Sequence, residues 1–140
     1  MALPITDWKK EPKAAAPGPR MVSAYFTTST SGTIGSTQAA FGCTVTKTAS
    51  ETGRYTIQLV DTAAANTTAV RFLGGFASII GPDDAAMTDA KGIMYVWRDD
   101  DLASDGTIEL QFVDADSGAD AELQDSAKVA LTLFVADSDK

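Results

Sequence analysis

The sequence contains no histidine, one cysteine and only 11 basic residues among 140. The absence of histidine removes the commonest general base, the usual zinc ligand and every Ser-His or Cys-His nucleophile pair. Cys43 has no partner for an intrachain disulfide, and its place in a strand-like run predicts a small buried side chain. We therefore expect no enzyme activity and no cofactor, and we assign no catalytic, cofactor-binding or metal-ligating residue.

Long apolar runs and an excess of basic residues are also missing. No stretch approaches the roughly 18 apolar residues of a membrane span, and the N-terminus lacks the apolar segment of a signal peptide, since Asp7 and Glu11 follow closely. The net charge is −8, and a field of this sign repels phosphate. We expect neither nucleic acid nor membrane as a partner. We expect a protein that stays in the cytosol of its producer or is assembled there into something larger.

Proline is rare beyond residue 20, because residues 1–20 contain four of the five prolines. This segment has a charge of +2, whereas residues 21–140 have −10. Its Pro/Ala-rich composition predicts an extended arm, residues 1–20, ahead of one β-domain, residues 21–140.

Two interpretations of the arm remain open, a loose chain end or a segment that orders along a neighbouring subunit. The second predicts that apolar and basic side chains of the arm bind the partner. The predicted partner-binding residues are Leu3, Ile5, Trp8, Lys9, Lys10, Lys13 and Arg20.

The clearest pattern in the chain is an alternation at residues 106–114. Apolar Ile108, Leu110 and Phe112 alternate with polar residues, which predicts a strand with one buried and one solvated face. The same pattern occurs at residues 53–61, where Tyr55, Ile57 and Leu59 take the apolar positions. We interpret the two stretches as copies of one β-unit.

Further strand-like runs alternate with turn signals, and no segment has a convincing helical period. Residues 41–47 place Phe41 on the same side as Cys43 and Val45, and residues 93–97 are apolar on both faces, which predicts a central or covered strand. Gly74 and Gly75 indicate a tight turn or a bulge. The aromatic residues of these runs, Phe76 among them, are assigned to the core.

These patterns predict an all-β fold. Two meander-like repeats with one apolar face each can cover one another as an antiparallel β-sandwich or a flattened barrel, with the extended N-terminal arm outside it. A single sheet would leave the apolar faces in water.

Acidic clusters come closest to a binding site. Residues 99–101 with Asp105 form one, and residues 114–125 form another. Carboxylates at every second position can surround Ca²⁺, but Gly118 stands where an EF-hand loop needs an oxygen ligand. The loose spacing favours a solvated loop, so no metal site is assigned.

A small acidic chain with a Pro/Ala arm resembles virion proteins of tailed bacteriophages, particularly the capsid decoration or cement proteins. The stretches that carry the resemblance are residues 53–61, 81–84, 89–92 and 105–113, within a loose match over residues 41–135. The resemblance implies a β-rich protein on the capsid surface of the virion, assembled in the host cytoplasm as a homo-oligomer such as a trimer. It also implies binding to the major capsid protein, stabilisation of the shell, and an arm that reaches a neighbour.

Two other functions stay open. The same sandwich could serve as a phage tail or fibre module that binds the host, or as a carbohydrate-binding surface domain. The latter predicts an export signal and exposed aromatic platforms, whereas Trp97 lies within an apolar run.

Overall fold

The computed structural model describes residues 19–59, 70–81, 92–101 and 106–137, and two antiparallel β-sheets form this part of the chain. The strands are β1 (Pro19–Thr28), β2 (Ile34–Phe41), β3 (Cys43–Lys47), β4 (Arg54–Leu59), β5 (Val70–Ile80), β6 (Ile93–Asp101), β7 (Thr107–Asp114) and β8 (Lys128–Asp137). A short 3₁₀ turn, Thr30–Gly32, connects β1 to β2. Sheet I has the order β2-β1-β8-β5, and sheet II has the order β3-β4-β7-β6. The predicted all-β sandwich is confirmed.

The two copies of the repeated pattern form β4 and β7, which are antiparallel neighbours at the centre of sheet II. Ile57 pairs with Ile108, and Tyr55 pairs with Leu110. Each copy also pairs with the strand that precedes it in the chain, β3 for β4 and β6 for β7. The repeat is therefore visible as two strand pairs, β3 with β4 and β6 with β7, which meet through β4 and β7 in one sheet.

The hydrophobic core lies between the sheets and follows the period of two in each strand. Ile57, Ile108 and Leu110 are fully buried, as the alternation predicts. Tyr55 stands at the centre, with its ring centroid 5.4 Å from that of Phe26 and 5.8 Å from that of Phe112. Tilted and edge-to-face contacts of this kind add to the free energy of burial itself.

The connection from β7 to β8, residues 115–127, closes one end of the core. Leu123 is only 2% exposed, so this acidic connection places its one large apolar side chain in the core. The backbone of Thr28 holds the connection in place, because its N–H donates to the Ala127 carbonyl at 2.8 Å and its carbonyl accepts from the Ser126 N–H at 2.9 Å. The connection is thus part of the packed domain.

Phe41 is 61% exposed, and the prediction that it shares a side with Cys43 is wrong. It ends β2 in sheet I, whereas Cys43 begins β3 in sheet II. Gly42 between them has a φ of +75°, a conformation that glycine adopts readily, and the alternation stops there.

Phe76 is 64% exposed, so its assignment to the core is also wrong. In β5 the register shifts between Phe72 and Gly74, which is the bulge that the two glycines predicted as one alternative. Phe72 packs towards the core, 5.1 Å from the Trp97 ring, and the bulge turns Phe76 to the outer face. One extra residue therefore reverses the pattern for the rest of the strand.

Strand β6 lies at the edge of sheet II, which contradicts the prediction of a central or covered strand at residues 93–97. Tyr95 and Trp97 do pack against the core. Met94 and Val96, however, are 53% and 39% exposed. The run is apolar on both faces although only one face meets the core.

Residues 1–18 of the predicted arm lie outside the described residues. The first strand begins at Pro19, two residues before the predicted start of the β-domain. Among the described residues, no helix is long and apolar enough to cross a membrane.

The burial of Leu110 generates a test of the central strand. Leu110→Ala should lower the free energy of unfolding by about 2–5 kcal/mol, because it leaves a cavity at a fully buried position. Urea denaturation followed by circular dichroism measures this change. Thr44→Val, on the exposed side of β3, is the matched control and should change stability by less than about 0.5 kcal/mol. Equal effects of the two substitutions would contradict the arrangement of the core.

Candidate interaction surface

Over strands β4 and β7 the outer face of sheet II carries charged and polar groups that pair with one another. Arg54 lies 3.8 Å from Glu109 and 3.5 Å from Glu51, and its Nε donates to Gln111 Oε1 at 3.0 Å. Gln111 in turn donates through Nε2 to the Thr52 carbonyl at 2.7 Å. These contacts satisfy the polar groups within the domain, so the face is suited to water.

The outer face of sheet I has the opposite character, and we call it the apolar face. Strand register places its outward residues in rows that run across the sheet. In the order β2-β1-β8-β5, one row is Phe41, Ser23, Thr132 and Phe76, and the next is Ala39, Tyr25, Ala130 and Ser78. The outer rows are Met21, Phe134 and Gly74 at one end, and Ser36, Thr27, Lys128 and Ile80 at the other. Among these described side chains only Lys128 is charged.

The apolar face has a raised side and a recessed side. Phe76 and Phe134 make an edge-to-face contact with ring centroids 6.1 Å apart, and they stand on the side of β5. On the side of β2, a depression of about 460 Å³ lies between Tyr25 and Phe41, floored by small residues such as Ala39 and Ala130. Aromatic groups beside a recess of small residues provide shape as well as hydrophobicity, as protein interfaces do.

A second exposed apolar area lies on the edge strand β6, and we call it the β6 strip. It consists of Ile93, Met94 and Val96, which are 40%, 53% and 39% exposed. Sequence reasoning missed both surfaces, because an apolar strand residue is normally assigned to the core. The bulge in β5 and the position of β6 in the sheet are what turn these residues outward.

A partly buried polar cluster at one end of the sandwich has the character of a structural contact. Lys47 Nζ lies 2.6 Å from Glu122 Oε1, and the same oxygen accepts from the Gly53 N–H at 3.3 Å. The Tyr55 hydroxyl donates to the Gly32 carbonyl at 2.6 Å. Burial, and to a smaller extent the Glu122 carboxylate, raise the pKa of Tyr55. The groups therefore pair with one another within the domain.

The acidic residues of the connection between β7 and β8 take part in turns and surface pairs. Asp114 accepts from the backbone N–H groups of Asp116 and Ser117 at 2.9 and 3.0 Å, an Asx-type turn. Asp120 lies 3.3 Å from Arg98. In the described part of the chain, no three acidic, histidine or cysteine side chains are grouped as metal ligands would be. The side chains of residues 99–101, and Asp105, lie outside that part.

Cys43 is buried, and its thiol donates weakly to the Ser23 carbonyl at 3.6 Å. Burial raises the pKa of this thiol to about 11, so little of the reactive thiolate forms at neutral pH. The side chain therefore has the character of a small apolar core residue.

Six of the seven predicted partner-binding residues lie outside the described residues, namely Leu3, Ile5, Trp8, Lys9, Lys10 and Lys13. The seventh, Arg20, is in β1 opposite Val135. The structure therefore neither brings these residues together nor separates them. The two apolar surfaces are additional to them.

Comparison of the chain with protein-family models, with curated proteins and with solved structures found no match.

The raised pKa of Tyr55 predicts a loss of stability at high pH. An unfolded tyrosine ionises near pH 10, whereas the folded pKa is higher, so this contribution is complete below pH 10 and is lost as the pH rises above it. Tyr55→Phe should remove up to about 1.4 kcal/mol per pH unit of that decline. At pH 7 the variant should be less stable by about 1–3 kcal/mol, because the Gly32 carbonyl loses its donor. Urea midpoints between pH 7 and 11 measure both effects, and parallel curves would contradict the assignment.

Burial of Cys43 predicts a protected thiol. At pH 8, iodoacetamide should leave the folded protein unmodified in mass spectra, while protein unfolded in guanidinium should be modified completely. Thr46→Cys, at an exposed position of β3, provides a reactive thiol in the same domain as the control. Equal modification of Cys43 and the introduced cysteine in the folded state would show that Cys43 is accessible.

Proposed function

We propose that this chain is a structural protein of a tailed-phage particle, a capsid decoration or cement protein. In this function the protein binds and stabilises the shell of the major capsid protein. The observation that carries the proposal is the apolar surface that the described part of the domain leaves exposed, on the outer face of sheet I and on the edge strand β6. The polar groups on the outer side of β4 and β7 pair with one another, whereas these two surfaces present apolar side chains.

Exposed apolar surface of this extent favours an assembly subunit. Eight large apolar side chains are between 39% and 64% exposed in the described part of the domain. A monomeric protein rarely leaves contiguous apolar patches of several hundred Å² in water, so patches of that size indicate contact with another protein. The net charge of −8 keeps such a subunit soluble before assembly.

Both the rigid domain and the arm contribute to attachment of the protein to the shell. Strand β1 begins at Pro19 and pairs along its length with β8, so the arm starts from a fixed point at one end of sheet I. The 18 residues before it can span up to about 60 Å when extended. The arm contributes its apolar and basic side chains, and the β6 strip contributes a contact from the domain. Several weak contacts on a repeating lattice add up through effective concentration.

Binding to empty shells tests the proposal. Empty shells of the major capsid protein from the same source, stripped of this chain, are mixed with the purified protein and separated by density gradient. The full chain should move with the shells and should raise the temperature at which they disrupt. Trp8→Ala should weaken binding about tenfold or more, because a buried tryptophan is a typical interface anchor.

Two controls separate attachment from folding. Thr6→Ala alters the arm without removing a large apolar group and should bind as the full chain does. A variant that lacks residues 1–18 keeps every described strand, so its urea midpoint should be unchanged while its binding to shells is lost. Failure of the full chain to bind shells would overturn the proposal. Binding to host cells or glycans instead would favour the tail or fibre module.

A further inference from the structure

We infer that the apolar face is the contact between two copies of this chain, which pack sheet I against sheet I about a two-fold axis. The inference rests on the proposed function in one respect only, since both require that another protein molecule covers exposed apolar surface. It adds the occupant of the apolar face and the symmetry of the contact, and it leaves the arm and the β6 strip to the shell.

The distribution of charge over the domain favours a second copy of this chain as the protein that covers the apolar face. Each chain has a net charge of −8, so two copies repel one another wherever acidic surfaces meet. The described acidic side chains lie on the outer face of sheet II, in the turn between β3 and β4, and in residues 114–125. The fifteen outward residues that form the four rows of the apolar face include none of them. This face therefore allows two such acidic chains to approach closely.

The shape of the apolar face is complementary to itself. Its raised aromatic pair, Phe76 and Phe134, stands towards β5, and its depression lies towards β2. A two-fold axis that runs along the strands, between β1 and β8, exchanges the two sides of the facing sheets. It places Phe76 of each copy over the recess between Tyr25 and Phe41 of the other, so both copies contribute and receive the same contact, as an isologous interface requires.

The shape of the face selects this axis over the alternative, an axis that runs across the strands. That alternative would place β5 of each copy over β5 of the other, so the raised aromatic pairs would meet one another and the recesses would stay unfilled. Lys128, the charged residue among the described side chains of these rows, lies in a terminal row of the contact, where its long side chain reaches water.

The area of the face is sufficient for a specific but modest dimer. Four strands about 4.8 Å apart and four rows about 6.8 Å apart span about 500 Å². Two copies therefore bury about 1,000 Å² or more, which is near the lower limit for a specific interface. We expect a dissociation constant of about 1–100 μM, weak enough for free subunits to exist before assembly.

Analytical ultracentrifugation of the full chain tests the dimer without any shell. Between 1 and 300 μM the protein should shift from monomer to dimer. Phe76→Lys should raise the dissociation constant by about 100-fold, since the contact occurs twice in each dimer. The substitution reduces the net negative charge, so greater repulsion between chains cannot explain the loss. Thr46→Lys makes the same charge change on the exposed outer face of sheet II and should leave the dimer intact.

Filling the recess provides a second, uncharged variant. Ala39→Trp occupies the depression and should weaken the dimer, while its position on exposed β2 leaves the core unchanged. Circular dichroism and urea midpoints confirm that each variant is folded. A monomer at 300 μM, or a dimer unaffected by both substitutions, would overturn the inference.

Crosslinking tests the axis itself. Ala39 and Ser78 occupy opposite ends of one row, and the proposed axis brings Ala39 of one copy over Ser78 of the other. A mixture of the Ala39→Cys and Ser78→Cys variants should crosslink with a short bismaleimide. Each variant alone should not, because like positions stay about 14 Å apart across three strand spacings. Crosslinking of each variant alone, without the mixed product, would contradict this axis.

The outcomes keep the two proposals separate. Phe76→Lys that is monomeric in solution but still binds shells leaves the proposed function in place. A chain that dimerises through the apolar face but never binds shells retains the inference and overturns the function.

Discussion

The rest of the structure depends on one packed end of the sandwich, where the connection between β7 and β8 crosses from sheet II to sheet I. Glu122 in this connection contacts both Lys47 and the backbone of Gly53, and Leu123 beside it enters the core. Gly32 and Gly53 leave the space for it, since a Cβ at either position would collide with the Glu122 carboxylate or the Ala121 carbonyl. A partly buried polar contact thus holds the connection between the two sheets against β3 and the turn before β4.

This closure explains the different character of the two outer faces. Because the core side chains pack against one another between the two sheets, the residues on each outer face are not needed for the core and can differ in polarity. Arg54 and Glu109 pair on the outer face of sheet II, whereas Phe76 and Phe134 form an aromatic pair on the outer face of sheet I. The outer faces of the two sheets are therefore suited to different surroundings.

The strands and the sandwich could be predicted from the sequence, because Ile57, Ile108 and Leu110 follow the period of two without interruption. The apolar face and the β6 strip could not be predicted, because apolar residues that face outward in a strand look in the sequence like apolar residues that face the core. Gly42 and the bulge before Gly74 each shift the pattern. The glycines at 74 and 75 indicated a turn or a bulge, but they did not decide between the two, and this choice sets the side on which Phe76 lies. Strand β6 reads as central because both its faces are apolar, although it lies at the edge of sheet II with its outer face exposed.

The irregularities of the edge strands reduce the tendency of the chain to aggregate at high local concentration. The register shifts in β2, β5 and β6 interrupt the rows of backbone donors and acceptors, and the short β3 ends in Lys47. Uninterrupted edges would invite endless strand-by-strand growth into fibres. Because the edge strands are interrupted in this way, copies at high concentration do not readily add strand to strand without limit. Their association can then stop at a finite number of copies.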